Sequence, residues 1–157
     1  PDGEYWRRVV ASPDPLKIVE AESIRAVVDA GIIPVCCGGG GVPVIRDSST
    51  GLYTGAQAVI DKDLCAAILA RETGAELLVI ATDVDGVYTD WGTPRQRRID
   101  HAKPSDLERS RFANGSMGPK VRAACRFVRR TGQRAVIGSL EDIGDIVAGR
   151  AGTLIEP

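Results

Sequence analysis

DKDLCAAILARETGAELLVIATDVDGVY, residues Asp61–Tyr88, is the stretch that decides the fold class. An aspartate at a helix start, apolar residues through Leu64–Ala70 and a glycine at 74 read as a helix that opens at Asp61 and closes near Gly74. Glu76–Thr82 (ELLVIAT) follows as a short, almost wholly apolar run, the pattern of a strand buried on both faces. The loop DVDGVYTD leaves that strand directly.

Working outward, the same unit recurs. Asp14-Pro15 reads as the opening of a first helix that Gly31 stops, and Ile32–Cys37 (IIPVCC) as a strand buried on both faces that runs into Gly38–Gly41. Val42–Arg46 reads as a short strand, and Asp47–Gly55 as an exposed hairpin or loop. Trp91–Lys103 has no clean period and reads as loop with a short strand near Arg98–Ile99. Ser105 is expected to cap a short helix through Arg111. GSMGPK leads into an amphipathic helix over Val121–Thr131, ended by Gly132. A strand over Arg134–Ile137, a capped helix over Ser139–Ala148 and a last strand over Thr153–Ile155 complete the chain. Strands alternating with helices predict an α/β fold with a mainly parallel sheet covered on both faces.

Composition narrows the function classes. The 157 residues suit one domain, and 20 basic against 21 acidic residues argue against a dedicated nucleic-acid or membrane surface. No apolar run approaches the ~20 residues that span a bilayer, and the first residues do not have the pattern of a secretory signal. The Arg-rich patches Arg95–Arg98 and Arg126–Arg130 read as solvated faces. Cys36, Cys37, Cys65 and Cys125 show no C-x-x-C spacing and lie in apolar stretches, as reduced core thiols do. With His101 the only histidine, neither a zinc site nor a histidine-based triad can be assembled.

In open α/β sheets ligands bind beyond the C-terminal ends of the strands, and four segments fall there. Gly38–Gly41 (Gly38, Gly39, Gly40 and Gly41) is either an anion cradle of backbone amides or a tight bend, and neither reading wins on the residues alone. It is not a G-x-G-x-x-G fingerprint or a Walker loop. Asp61-Lys62-Asp63 opens a helix. An aspartate there caps, but a lysine opposes the helix dipole and calls for another reason such as a phosphate. Lys120, in Gly115–Lys120, repeats that unfavourable placement beside Met117 and Gly118. Two such lysines suit phosphoryl transfer, which depends on charge neutralisation and positioning. Asp83 and Asp85 either take ribose hydroxyls or the adenine amino group, or only make an Asp-Gly turn.

Read in order, WRRVVASPDP, IVEAESI, VDAGIIPVCCGGGGVPVI, AVIDKDLCAAILA, LLVIATDVDGVY, GSMGPKVRAACRFV and AVIGSLEDI resemble the carbamate kinases of the amino-acid kinase superfamily. The resemblance implies a three-layer α/β/α sandwich and the reaction ADP + carbamoyl phosphate ⇌ ATP + carbamate, with Mg²⁺ accompanying the nucleotide. It implies that Asp63 orients the catalytic lysines and that Lys62 and Lys120 neutralise the transferring phosphoryl group. By the same likeness Asp83, Val84, Asp85, Gly86, Val87 and Tyr88, with Met117 and Gly118, line the ADP site, and Gly38–Gly41 face the carbamate or the phosphoryl group. Cytoplasmic homodimers, often serving arginine fermentation, are implied as well. Residues 1–157 then correspond to the C-terminal, nucleotide-binding part of such a domain. No Gly-Gly-Asn-Ala loop of an N-terminal part occurs among them. Two alternatives remain: a nucleotide-binding module without catalysis, and an amino-acid kinase with a different acceptor.

Overall fold

The computed structural model describes residues 6, 8–36, 39–110, 112 and 116–157. Helix α2 (Lys62–Thr73) and strand β3 (Leu77–Thr82) form as the sequence predicts. Asp61 is the N-cap in extended backbone, and its Oδ1 accepts the Leu64 amide at 2.9 Å. Gly74 closes the helix at φ 74°, a left-handed conformation that costs glycine no Cβ clash. Helix α4 (Met117–Thr131) likewise ends at Gly132, with φ 70°.

The other elements are α1 (Ala21–Asp29), β1 (Val44–Arg46), β2 (Tyr53–Gly55), β4 (Val87–Thr89), β5 (Arg97–Ile99), β6 (His101–Ala102), α3 (Pro104–Leu107), β7 (Arg134–Ser139), α5 (Ile143–Val147) and β8 (Thr153–Ile155). The central sheet has the order β3-β7-β8-β6. β3 and β7 are parallel in the register Leu77↔Arg134 to Thr82↔Ser139. β6 and β8 are also parallel, while β7 and β8 run antiparallel. Two antiparallel hairpins, β1–β2 and β4–β5, stand beside it.

The sheet divides the core in two. Leu78, Ile80, Ala135, Ile137 and Ile155 pack against Leu64 and Ala67 of α2 and Val121, Ala124, Phe127 and Val128 of α4. Phe127 is 1% exposed, and burial of such a ring contributes roughly 1.5–3 kcal/mol. On the opposite face Gly138 lets α5 approach: a Cβ there would lie 2.8 Å from Ile146 Cδ1. Helices therefore cover both faces, the three-layer α/β/α arrangement.

Several sequence expectations need correction. Ile32–Cys36 forms no strand, and Ile33 and Val35 are 90% and 88% exposed. Among the described residues β3 ends the sheet and pairs only with β7, so no described strand forms a ladder with this apolar run. Cys36 is consequently exposed, whereas Cys65 is half-buried and Cys125 buried; all three are free thiols. Cys37 lies outside the described residues. The first helix starts at Ala21 rather than Asp14-Pro15, with no side-chain cap. Its end is as expected: Gly31 and Ile32 donate to Val28 and Val27 carbonyls, closing a Schellman turn.

Ser105 sits inside α3 rather than capping it, because Pro104 takes the first helical position. α4 begins four residues before Val121, so Pro119 and Lys120 belong to its first turn. The DVDGVYTD loop contains β4, whose partner β5 covers the expected short strand near Arg98–Ile99. Asp47–Gly55 forms the turn and second strand of the β1–β2 hairpin, with the Asp47 carboxylate accepting the amides of Ser49 and Thr50.

Candidate functional site

Two helix starts meet at the C-terminal end of β3. α2 presents Asp63, 7% exposed, in its first turn, and α4 presents Lys120 in its own. Packing of α2 on α4 brings the lysine Nζ to 3.2 Å from Asp63 Oδ2 and 3.4 Å from Oδ1, across 57 positions of sequence. The carboxylate is favoured by the dipole of α2, and it offsets the cation that the dipole of α4 disfavours. Lys62, one residue before Asp63, is exposed and makes no ion pair among the described residues.

The glycine loop lies against the same helix start. Gly39, Gly40 and Gly41 have φ of 42°, 133° and 77°, the region reserved for glycine. A Cβ on Gly40 would fall 2.2 Å from the Ile60 carbonyl oxygen, immediately before the Asp61 cap. Close backbone approach is thus the reason for glycine at 40. Gly38 and Gly115 lie outside the described residues.

Beyond the pair opens a cavity of about 500 Å³, a volume ordinary for a small-molecule site. Asp83, Val84, Gly86 and Tyr88 form one wall, and Met117 and Lys120 the other. Three residues expected in the nucleotide site stand elsewhere. Asp85 accepts the Tyr88 hydroxyl at 2.7 Å through Oδ1 and pairs with Arg98 through Oδ2. Val87 is fully buried, and its amide donates to Thr153 Oγ1 at 2.7 Å. Gly118 borders a neighbouring cavity of about 430 Å³. Cys125 also lines that cavity, but burial pushes its thiol up to about 11, so it remains protonated at neutral pH.

Sequence reading missed the aromatic wall. Trp91, assigned to loop, lines the larger cavity and meets Tyr88 edge-on, with ring centroids 5.2 Å apart and planes at 67°. Asp90 turns the chain there with a positive φ of 49°. The Tyr88 hydroxyl is held protonated to higher pH than usual, chiefly because it donates to Asp85. Among the described residues no group of three or more His, Cys, Asp and Glu side chains could hold a metal ion, and no helix is long and apolar enough to cross a membrane.

Comparison with known proteins bears directly on this geometry. The family model described as amino acid kinase family matches residues 4–139. The chain belongs to the amino acid kinase family.

Within the amino acid kinase family it is similar to carbamate kinases. That of Haemophilus influenzae is 51% identical over 154 residues, which are 98% of this chain and 49% of that protein. That of Escherichia coli K12 is also 51% identical, over 98% of this chain and 50% of that protein. Among solved structures, carbamate kinase from Giardia lamblia bound to AMP-PNP superposes with a TM-score of 0.87 at 38% identity, covering 92% of this chain and 52% of that one. The chain spans about half the length of the curated relatives it matches. The chain therefore has the carbamate kinase fold over nearly all of its residues.

Proposed function

We propose that the chain is the nucleotide-binding part of a carbamate kinase, which transfers a phosphoryl group reversibly between ATP and carbamate. The observation that carries this reading is the Lys120–Asp63 pair beside the cavity beyond β3, in a sequence about half identical to carbamate kinases. In the ATP-forming direction a β-phosphate oxygen of ADP bonds to the phosphorus of carbamoyl phosphate, and carbamate leaves with the electrons of the broken P–O bond.

Each residue then has a physical task. Asp83, Val84, Gly86, Tyr88 and Met117 receive the base and ribose. Lys62 and Lys120 offset the negative charge spread over the transferring group, and Asp63 holds the Lys120 ammonium in place. Gly38–Gly41 face the acceptor end, and the described Gly39–Gly41 offer their amides against the start of α2. Mg²⁺ would enter with the nucleotide and supply charge neutralisation at its phosphates, which needs no dedicated cage of protein carboxylates. The free thiols of Cys36, Cys65 and Cys125 support a cytoplasmic setting, and the resemblance supports a homodimer, which sedimentation would test.

The test is ATP formation from ADP and carbamoyl phosphate by the purified chain. ATP production that stops on omitting either reactant supports the kinase. Because the chain spans about half the length of its relatives, a second reading is a module that binds ADP without turnover. ADP binding with no ATP formed would select that reading, and phosphorylation of a different acid in preference to carbamate would select another member of the family.

A further inference from the structure

The sequence reading gives Arg98 no place beyond a solvated face and a short strand, yet its side chain reaches four acceptors beside the candidate nucleotide cavity. It sits on β5 directly across from Tyr88 on β4. Its Nε lies 3.4 Å from Asp85 Oδ2, and one terminal nitrogen donates to the carbonyls of Asp85 at 3.4 Å and Gly152 at 3.3 Å. The other terminal nitrogen pairs with Asp100 at 3.4 Å. The guanidinium is therefore spent on protein acceptors, and Arg98 is not among the residues that line the cavity.

Its link to the cavity runs through Asp85 to Tyr88, which does line it. The second oxygen of Asp85 accepts the Tyr88 hydroxyl, and the Tyr88 ring meets Trp91. Gly86 passes so close beneath the guanidinium that a Cβ would lie 3.1 Å from Arg98 Nε and 2.8 Å from Thr153 Oγ1. Thr153, fully buried on β8, donates to the Ile99 carbonyl while accepting the Val87 amide, and so fastens both strands of the hairpin to the sheet. Loop, hairpin and C-terminal strand meet at this one knot.

We infer that Arg98 is a positioning residue for the nucleotide cavity: through Asp85 it fixes the Tyr88 ring, and through Tyr88 the Trp91 wall. The inference rests on the nucleotide reading for its purpose but not for its geometry. The planar fork is essential, because its rigid, separated N–H groups reach the Asp85 carboxylate and the carbonyls of the loop residues Asp85 and Gly152, a spread that one ammonium nitrogen does not cover. The same arrangement assigns Asp85 to the support of the site rather than to the ligand.

The test uses the full chain carrying Trp6→Phe, which leaves Trp91 as its one tryptophan. Acrylamide quenching of Trp91 is measured without ligand, then ADP is titrated by calorimetry. Arg98→Gln and Tyr88→Phe are each expected to raise quenching to a similar extent. Each is also expected to weaken ADP binding by roughly threefold to tenfold, the scale of one hydrogen bond to a charged group that is partly exposed. The double variant should equal the stronger single variant, because both substitutions break one chain of contacts. Arg98→Lys should resemble Arg98→Gln.

Unchanged quenching in Tyr88→Phe, additive effects in the double variant, or full function in Arg98→Lys would each overturn the inference. Tyr88→Phe removes one exposed hydroxyl, so it remains informative even if Arg98→Gln does not fold. A parent chain that shows the quenching pattern but binds no ADP would contradict the nucleotide reading alone.

Discussion

Replacing Lys120 by alanine should weaken ADP binding about thirtyfold while leaving adenosine binding within a factor of two. The ammonium lies 3.2 Å from Asp63 and lines a cavity of about 500 Å³. At an effective dielectric of ~20, an ammonium about 4 Å from a phosphate charge contributes roughly 4 kcal/mol. Asp63 shares that cation and water enters the open cavity, so we take about half, ~2 kcal/mol, which corresponds to ~30-fold in Kd. Adenosine carries no phosphate and serves as the internal control.

The substitution also leaves Asp63 buried without its partner. Breaking one side of a buried pair costs about 3–5 kcal/mol at most, so thermal unfolding must accompany the titration. The double variant Lys120→Met with Asp63→Asn removes both charges and should recover much of that stability while remaining weak for ADP. The assay is calorimetric titration with ADP and adenosine in parallel. ADP binding within twofold of the parent, or equal weakening of both ligands, would refute the phosphate-neutralising role of Lys120.

Other outcomes follow from local geometry. Asp61→Ala removes the cap on the Leu64 amide and should cost about 1 kcal/mol, lowering the calorimetric Tm by ~2–4 °C. Gly40→Ala puts a Cβ into the Ile60 carbonyl at φ 133° and should cost of order 1–3 kcal/mol. Gly39→Ala, with nothing within 4 Å, should cost less, and equal Tm losses would contradict the packing of Gly40 on Ile60. The Asp47 carboxyl is held well below its usual value of 3.8 by hydrogen bonds from Ser49 and Thr50, first among them the Ser49 hydroxyl. A depressed carboxyl stabilises the fold above its unfolded value and loses that contribution as pH falls toward the folded one. The carbon resonance of Asp47 should therefore show an ionised group at pH ~3, and titration near the usual value would contradict the turn.

Much of the fold was legible because its signals are local. The Asp61 cap, the closing glycines Gly74 and Gly132 and the apolar run of β3 each act within a few residues, and each formed where read. Ile32–Cys36, the described part of the expected strand, forms none because hydrophobicity records a demand for burial without naming the partner, and among the described residues β3 pairs on one side only. The start of α1 failed because Asp14-Pro15 is a permissive signal, and Asp14 instead pairs with Arg122 and Arg126 of α4.

The candidate site divides in the same way. Lys62, Asp63 and Lys120 were legible as charges in helix first turns, but only packing of α2 on α4 joins two of them across 57 positions. Tyr88 and Met117 were legible through their motifs. Trp91 and Arg98 were not, because their roles depend on the hairpin register and on β8, more than 50 residues away.

The central claim is that these residues contain the nucleotide site of a carbamate kinase. Its most direct test is calorimetric titration of the purified, folded chain with Mg-ADP. Saturable 1:1 binding that protects Trp91 from acrylamide is the expected result. Absence of binding by a chain whose cooperative unfolding shows it to be folded would contradict a nucleotide site within these residues.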